Sequence, residues 1–156
     1  MVHTNKALNR LTISRQDFQK CRDLLAEIPA QKYGSIVYEG LLLSAIISYA
    51  RPFSGNEMGK APNAESRVDA SLLDELTADE RELHDLIVQL RNKAIAHAEW
   101  QYHPTNITKE NVIKSIPFSI WKYFRDTTDI DRFQSLVEKV ILRAKLITAE
   151  AVRRRP

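Results

Sequence analysis

Thr77-Ala78-Asp79-Glu80-Arg81-Glu82-Leu83-His84-Asp85-Leu86-Ile87-Val88-Gln89-Leu90-Arg91-Asn92-Lys93-Ala94-Ile95-Ala96-His97-Ala98 reads as one long helix. Thr77-Ala78-Asp79-Glu80 is a capping box, in which a Thr hydroxyl and a Glu carboxylate three residues on satisfy each other's backbone N–H groups. Leu83, Leu86, Ile87, Leu90 and Ala94 then recur at helical spacing and form one apolar stripe. The helix is expected to end near His97 or Ala98.

Three further helices follow from the same reading on either side. Ser14 and Asp17 have capping-box spacing, and Phe18, Cys21, Leu24 or Leu25, and Ile28 repeat behind them. A helix from about Ser14 to Glu27 is therefore expected, stopped by Pro29. The second runs from about Gln31 to Ala50. Val37, Leu41, Leu42, Ala45, Ile46 and Tyr49 leave little of its circumference polar, so it belongs in the middle of a bundle. A last helix begins after Thr128 or Asp129 and carries Phe133, Leu136, Val137, Val140, Ile141, Ala144 and Ile147. Shorter helices are expected at about Glu65 to Leu76 and Ile116 to Phe124, the latter with Pro117 in its first turn. Residues 51–67 concentrate the turn formers and read as a long loop. Residues 99–108 are polar and aromatic and carry no clear periodicity. The fold class is all-α, an up-and-down helical bundle of four to five helices. It occupies residues 1–156 as a single domain, with 1–12 and 153–156 frayed.

Composition agrees. The chain has 156 residues, of which 44% are hydrophobic and 28% charged, enough for a single sizeable core. Cys21 is its one cysteine, so no internal disulfide exists, and a packed, inert thiol is the expected state. Met1 to Thr12 has no apolar signal core, and Ile36 to Ala50 is too short to span a bilayer and contains Glu39. A cytoplasmic protein without a membrane role is expected. The net charge of +3, from 23 Lys and Arg against 20 Asp and Glu, permits contact with nucleic acid without arguing for it. Arg153-Arg154-Arg155 reads either as a solvated tail or as an RNA-binding one.

The chemistry-bearing segment is Leu90-Arg91-Asn92-Lys93-Ala94-Ile95-Ala96-His97. It holds an Arg, a polar Asn beside it, and a His six residues after the Arg. This resembles the Arg-polar-x(3 to 5)-His motif of the HEPN superfamily, on the helix where that family carries it. Ser48-Tyr49-Ala50-Arg51-Pro52-Phe53 and His84 are similar to features of a bacterial branch of such proteins. The resemblance implies a metal-independent endoribonuclease, of a toxin or defence type, or a non-catalytic HEPN-like module for dimerisation, nucleotide binding or protein interaction. On the first alternative, His97 is the acid/base, Arg91 the phosphate clamp, and Asn92 a group that orients the others. His84, Glu80, Trp100, Tyr102 and Arg51 are the supporting or substrate-binding candidates. No metal and no cofactor are required. The implied partners are a second copy of the chain, RNA, and a cognate antitoxin or other partner protein.

The residue types suit the chemistry. RNA brings its own nucleophile, the ribose 2′-OH. A histidine titrating near neutrality can take or give the proton. A guanidinium can hold the phosphate through forked, charge-assisted hydrogen bonds. Helix geometry is less accommodating. Six residues rise about 9 Å and turn through about 600°, so Arg91 and His97 do not share a face. On an uninterrupted helix His97 projects beside Leu90 and Leu86, Arg91 beside His84 and Glu80, and Asn92 nearly opposite the apolar stripe. The homodimer implied by the resemblance would bring two such helices together. The plain alternative is an Arg paired with Glu80 and a His favouring the helix C-terminus. Trp100, Tyr102 and His103 serve either as stacking surfaces for bases or as packing.

Other patterns lack a required part. Gly55-Asn56-Glu57-Met58-Gly59-Lys60 is one residue short of a phosphate loop, and Ala61 stands where Ser or Thr is needed. His97-Ala98-Glu99 has no paired cysteines after it, as a zinc deaminase demands. His84, His97 and His103 lack the spacing of a helical zinc site.

Overall fold

The computed structural model describes residues 6–55, 67–95 and 100–153. Four α-helices form an all-α bundle among them: α1 (Lys6–Glu27), α2 (Ile36–Ala50), α3 (Ala78–Gln89) and α4 (Thr127–Arg153). Leu11, Ser14, Phe18, Cys21 and Leu25 of α1, and Ile28 just past its end, step alternately by three and four, and all are buried. That stripe packs against both α2 and α4. Helix α1 begins well before the expected Ser14, so residues 6–12 are helical rather than frayed. Ser14 is buried within the stripe, not at a cap. Ile28–Ala30 forms a single 3-10 turn, with Pro29 ending the helix.

Helix α2 starts at Ile36 because Gly34 sits at φ 76 and Ser35 caps the first turn, its hydroxyl accepting from Tyr38 N–H. A left-handed residue cannot continue a right-handed helix, so the expected start at Gln31 moves five residues on. Tyr38, Leu42, Ala45, Ile46, Ser48, Tyr49 and Ala50 are buried, which makes α2 the most enclosed helix. Its first turn is the exception: Ile36 is 80% and Val37 52% exposed, so Val37 is not part of the core. At the other end Tyr49 packs against Phe18, Phe53, Phe133 and the His84 ring, with centroids 5.4–5.9 Å apart.

The capping box at the start of α3 is present in both directions: Thr77 Oγ1 accepts from Glu80 N–H, and Glu80 Oε2 accepts from Thr77 N–H. Thr77→Ala removes one of these bonds and loosens the other. A loss of about 1 kcal/mol in unfolding free energy is expected, measurable by urea denaturation. An unchanged midpoint would mean that α3 is held by packing alone.

The α-helical pattern does not continue to His97. From Leu90 to Ile95 the chain is a π-helical segment, and residues 96–99 lie outside the described set. The expected short helices reduce to 3-10 turns at Ala70–Leu73 and Ile120–Lys122, with residues 65 and 66 not described. Residues 105–115 form a small antiparallel hairpin, β1 (Thr105–Ile107) with β2 (Ile113–Ser115), in the register Ile107↔Ile113. Asn111 takes the left-handed conformation in its turn at φ 59, which Asn tolerates better than most residues. Helix α4 starts at Thr127, slightly earlier than expected, because Asp126 Oδ1 accepts from Thr128 N–H and Asp129 N–H. No helix among the described residues is long and apolar enough to cross a membrane.

Candidate nucleic-acid site on the third helix

The π-helical segment places the motif. Leu90 and Ala94 are buried and anchor it, while Arg91 and Asn92 are half-buried beside the turn that follows α2. A hydrogen bond of i→i+5 type inserts one extra residue into the turn. For Asn92 the facing differs from that expected of an uninterrupted helix. Asn92 turns toward the protein, where its Oδ1 lies 3.1 Å from Ser54 Oγ and accepts from Arg91 Nη1 at 2.9 Å. The buried Ser54 hydroxyl is also 3.0 Å from Ala50 O. It has one proton and donates to one of the two oxygens at a time. Arg91 is thus tied through Asn92 to the 51–55 turn, not paired with Glu80. Glu80 is occupied at the capping box and by Lys139 Nζ at 2.6 Å. These partners hold its carboxyl below its ordinary range, the Lys139 bond first among them.

His84 does not meet Arg91 either. It is buried in the core, its Nδ1 2.9 Å from Tyr49 Oη and its ring edge-on to Phe53 at 4.5 Å. Burial lowers its pKa to about 4, with Arg81 adding to the fall and Asp85 opposing it. It is neutral at pH 7 and enclosed, which suits a core histidine and not a proton carrier. Burial also pushes the Tyr49 phenol well up, and the Cys21 thiol with it. Arg51 is exposed and engages Asp17 Oδ1 at 2.7 Å. Tyr102 accepts from Gln89 Nε2 at 2.6 Å and packs its ring against Phe118, so it serves packing. The Trp100 backbone opens the 3-10 turn Trp100–Tyr102, and its side chain lies outside the described set, as does His97.

Three neighbours of the motif carry little sequence signal. Ser54 braces Asn92. His103 brings Nε2 to 3.3 Å from Ala94 O; because a carbonyl only accepts, this geometry assigns the proton to Nε2. Arg10 reaches across from α1, Nη2 to Arg51 O, at 3.5 Å. Its only pattern was helical spacing, since Arg10, Ser14 and Asp17 fall on one face of α1. Among the described residues no ion pair joins Arg91 to a carboxylate. No group of three or more His, Cys, Asp or Glu that could hold a metal stands together among them. Comparison with protein-family models, curated proteins and solved structures returns no match.

Proposed function

We propose that this chain is a HEPN-like, metal-independent endoribonuclease, acting as a homodimer in a toxin or defence setting. The observation that carries the reading is the state of Arg91. Its guanidinium is oriented by Asn92 yet has no carboxylate partner among the described residues. A cation held in place, with no carboxylate on it among the described residues, suits a phosphate. In the reaction, the ribose 2′-oxygen attacks the adjacent phosphorus as His97 of one protomer takes its proton. The P–O5′ bond breaks, and the leaving 5′-oxygen takes a proton from the imidazolium that His97 has become. The products are a 2′,3′-cyclic phosphate and a 5′-hydroxyl. Arg91 stabilises the charge that grows on the phosphoryl oxygens.

A second reading, a non-catalytic HEPN-like module that binds a nucleotide or a partner protein, has its own support. The Asn92 carbonyl oxygen is already engaged by Ser54 and Arg91, as in a structural brace. RNA cleavage by wild type beside His97→Ala separates the two. The nuclease reading expects cleavage that survives EDTA, spares DNA for want of the 2′-OH, and disappears with His97. Equal cleavage by both proteins, or none by either, sinks it in favour of the module. Light scattering tests the assembly: a dimer is expected, and a strict monomer at high concentration would remove the shared groove.

A further inference from the structure

The turn 51–55 at the end of α2 gathers arginines from separate parts of the chain. Arg10 comes from α1, its Nη2 against Arg51 O. Arg51 belongs to the turn itself and meets Asp17. Arg67 returns on the segment that Val68 N–H bonds to Pro52 O, and its guanidinium lies 3.4 Å from where a Cβ on Gly55 would sit. Arg91 arrives from the π-helical segment through Asn92 and Ser54. Among the described residues Asp17 is the one carboxylate paired with any of the four.

Arg10 adds an independent observation. It is only 8% exposed, and its Nε has no hydrogen-bond partner among the described residues. Charged side chains are almost never buried unless paired. The Arg51 carbonyl, at the negative end of α2, accounts for one N–H of Arg10 and leaves Nε unanswered.

We propose that this arginine-lined turn binds the backbone phosphates of single-stranded RNA next to the bond that Arg91 clamps. The inference rests on the nuclease reading for its choice of ligand. The site holds the strand through charge and is indifferent to base and to the 2′-OH. Exposed Arg51 and Arg67 meet the strand, and buried Arg10 adds its charge from beside the Arg51 carbonyl. For single strands, the slope of log affinity against log salt is about −0.7 per phosphate neutralised. Four arginines with one carboxylate among them therefore imply a slope of about −2 to −3.

The test is fluorescence anisotropy with a labelled single-stranded DNA oligonucleotide, which keeps the phosphates and cannot be cut by 2′-OH attack. Full-length protein should bind it with that slope. Arg67→Gln and Arg51→Gln should each flatten the slope by about 0.7 and weaken binding several-fold at low salt. Lys32→Gln is the control. Lys32 precedes the opposite end of α2, about 22 Å away along a helix of this length, and should change nothing. Circular dichroism and a thermal midpoint verify that each variant is folded, and Arg67→Gln touches no described hydrogen bond. Failure to bind the oligonucleotide, or slopes unaltered in both arginine variants, overturns the proposal. Binding that depends on these arginines, in a protein that cleaves no RNA, sustains the site and refutes only the nuclease reading.

Discussion

Arg91→Ala is expected to lower the rate of RNA cleavage by about 10²–10³, the usual cost of removing one preorganised group that stabilises developing charge. His97→Ala should cost about 10²–10⁴, as for a general acid/base. The two losses have different origins and should leave different signatures. Without Arg91, the pH dependence of the residual rate keeps the limb due to His97. Without His97, that limb disappears. Arg91→Lys should recover only part of the rate, because an ammonium is a point charge without the planar fork of a guanidinium. The fold should survive these changes at Arg91. Its one described hydrogen bond goes to the neighbouring Asn92, and it is only half-buried. Cleavage by Arg91→Ala at the wild-type rate would dismiss the clamp. Unfolding of His97→Ala would show that the histidine is structural.

Those elements fixed by local chemistry were legible in the sequence. Thr77 and Glu80 announce the start of α3 because each satisfies the other's backbone N–H, and the structure contains both bonds. Phe18, Cys21, Leu25 and Ile28 mark the buried face of α1, and Phe133 to Ala144 that of α4. Other starts were harder. Lys6 to Leu11 carries Ala7, Leu8 and Leu11 among polar residues, too short a stretch for its helical spacing to stand out, yet α1 begins at Lys6. The hairpin escaped for a similar reason, since three-residue strands are too short for an alternation to register.

The candidate site can be picked out by composition but not by direction. Arg91, Asn92 and His97 can be picked out by type and spacing, yet their facing depends on an α-helix continuing through Leu90–Ile95, where the chain is π-helical. Asn92 lies within that segment and meets Ser54 instead of facing solvent. His84 illustrates the opposite limit. As one residue on an amphipathic helix it could face a substrate or the core, and only the packing of Tyr49 and Phe53 around it decides for the core.

Because His84 is buried and neutral, the protein should lose about 3 kcal/mol of unfolding free energy between pH 7 and pH 4 from this one group. Its pKa is lowered from 6.5 to about 4 in the folded state, chiefly by burial. At only 6% exposure the effect is little screened by solvent. The sign follows from proton counting. Above pH 6.5 neither state binds the proton and the contribution is complete. As pH falls below 6.5, the unfolded chain takes up a proton that the folded one refuses until about pH 4, so unfolding gains. Each pKa unit of difference corresponds to about 1.4 kcal/mol. Carboxylates such as Glu80 and Asp69, whose pKa values are lowered by hydrogen bonds, add their own losses at lower pH. The discriminating variant is therefore His84→Gln, which stays neutral and keeps a polar group within reach of Tyr49 Oη. Urea denaturation across this range should show a steep decline for wild type and a much shallower one for His84→Gln. Parallel curves would mean that His84 is protonated as readily in the folded protein as in the unfolded chain, and that the Tyr49–His84 contact opens to water.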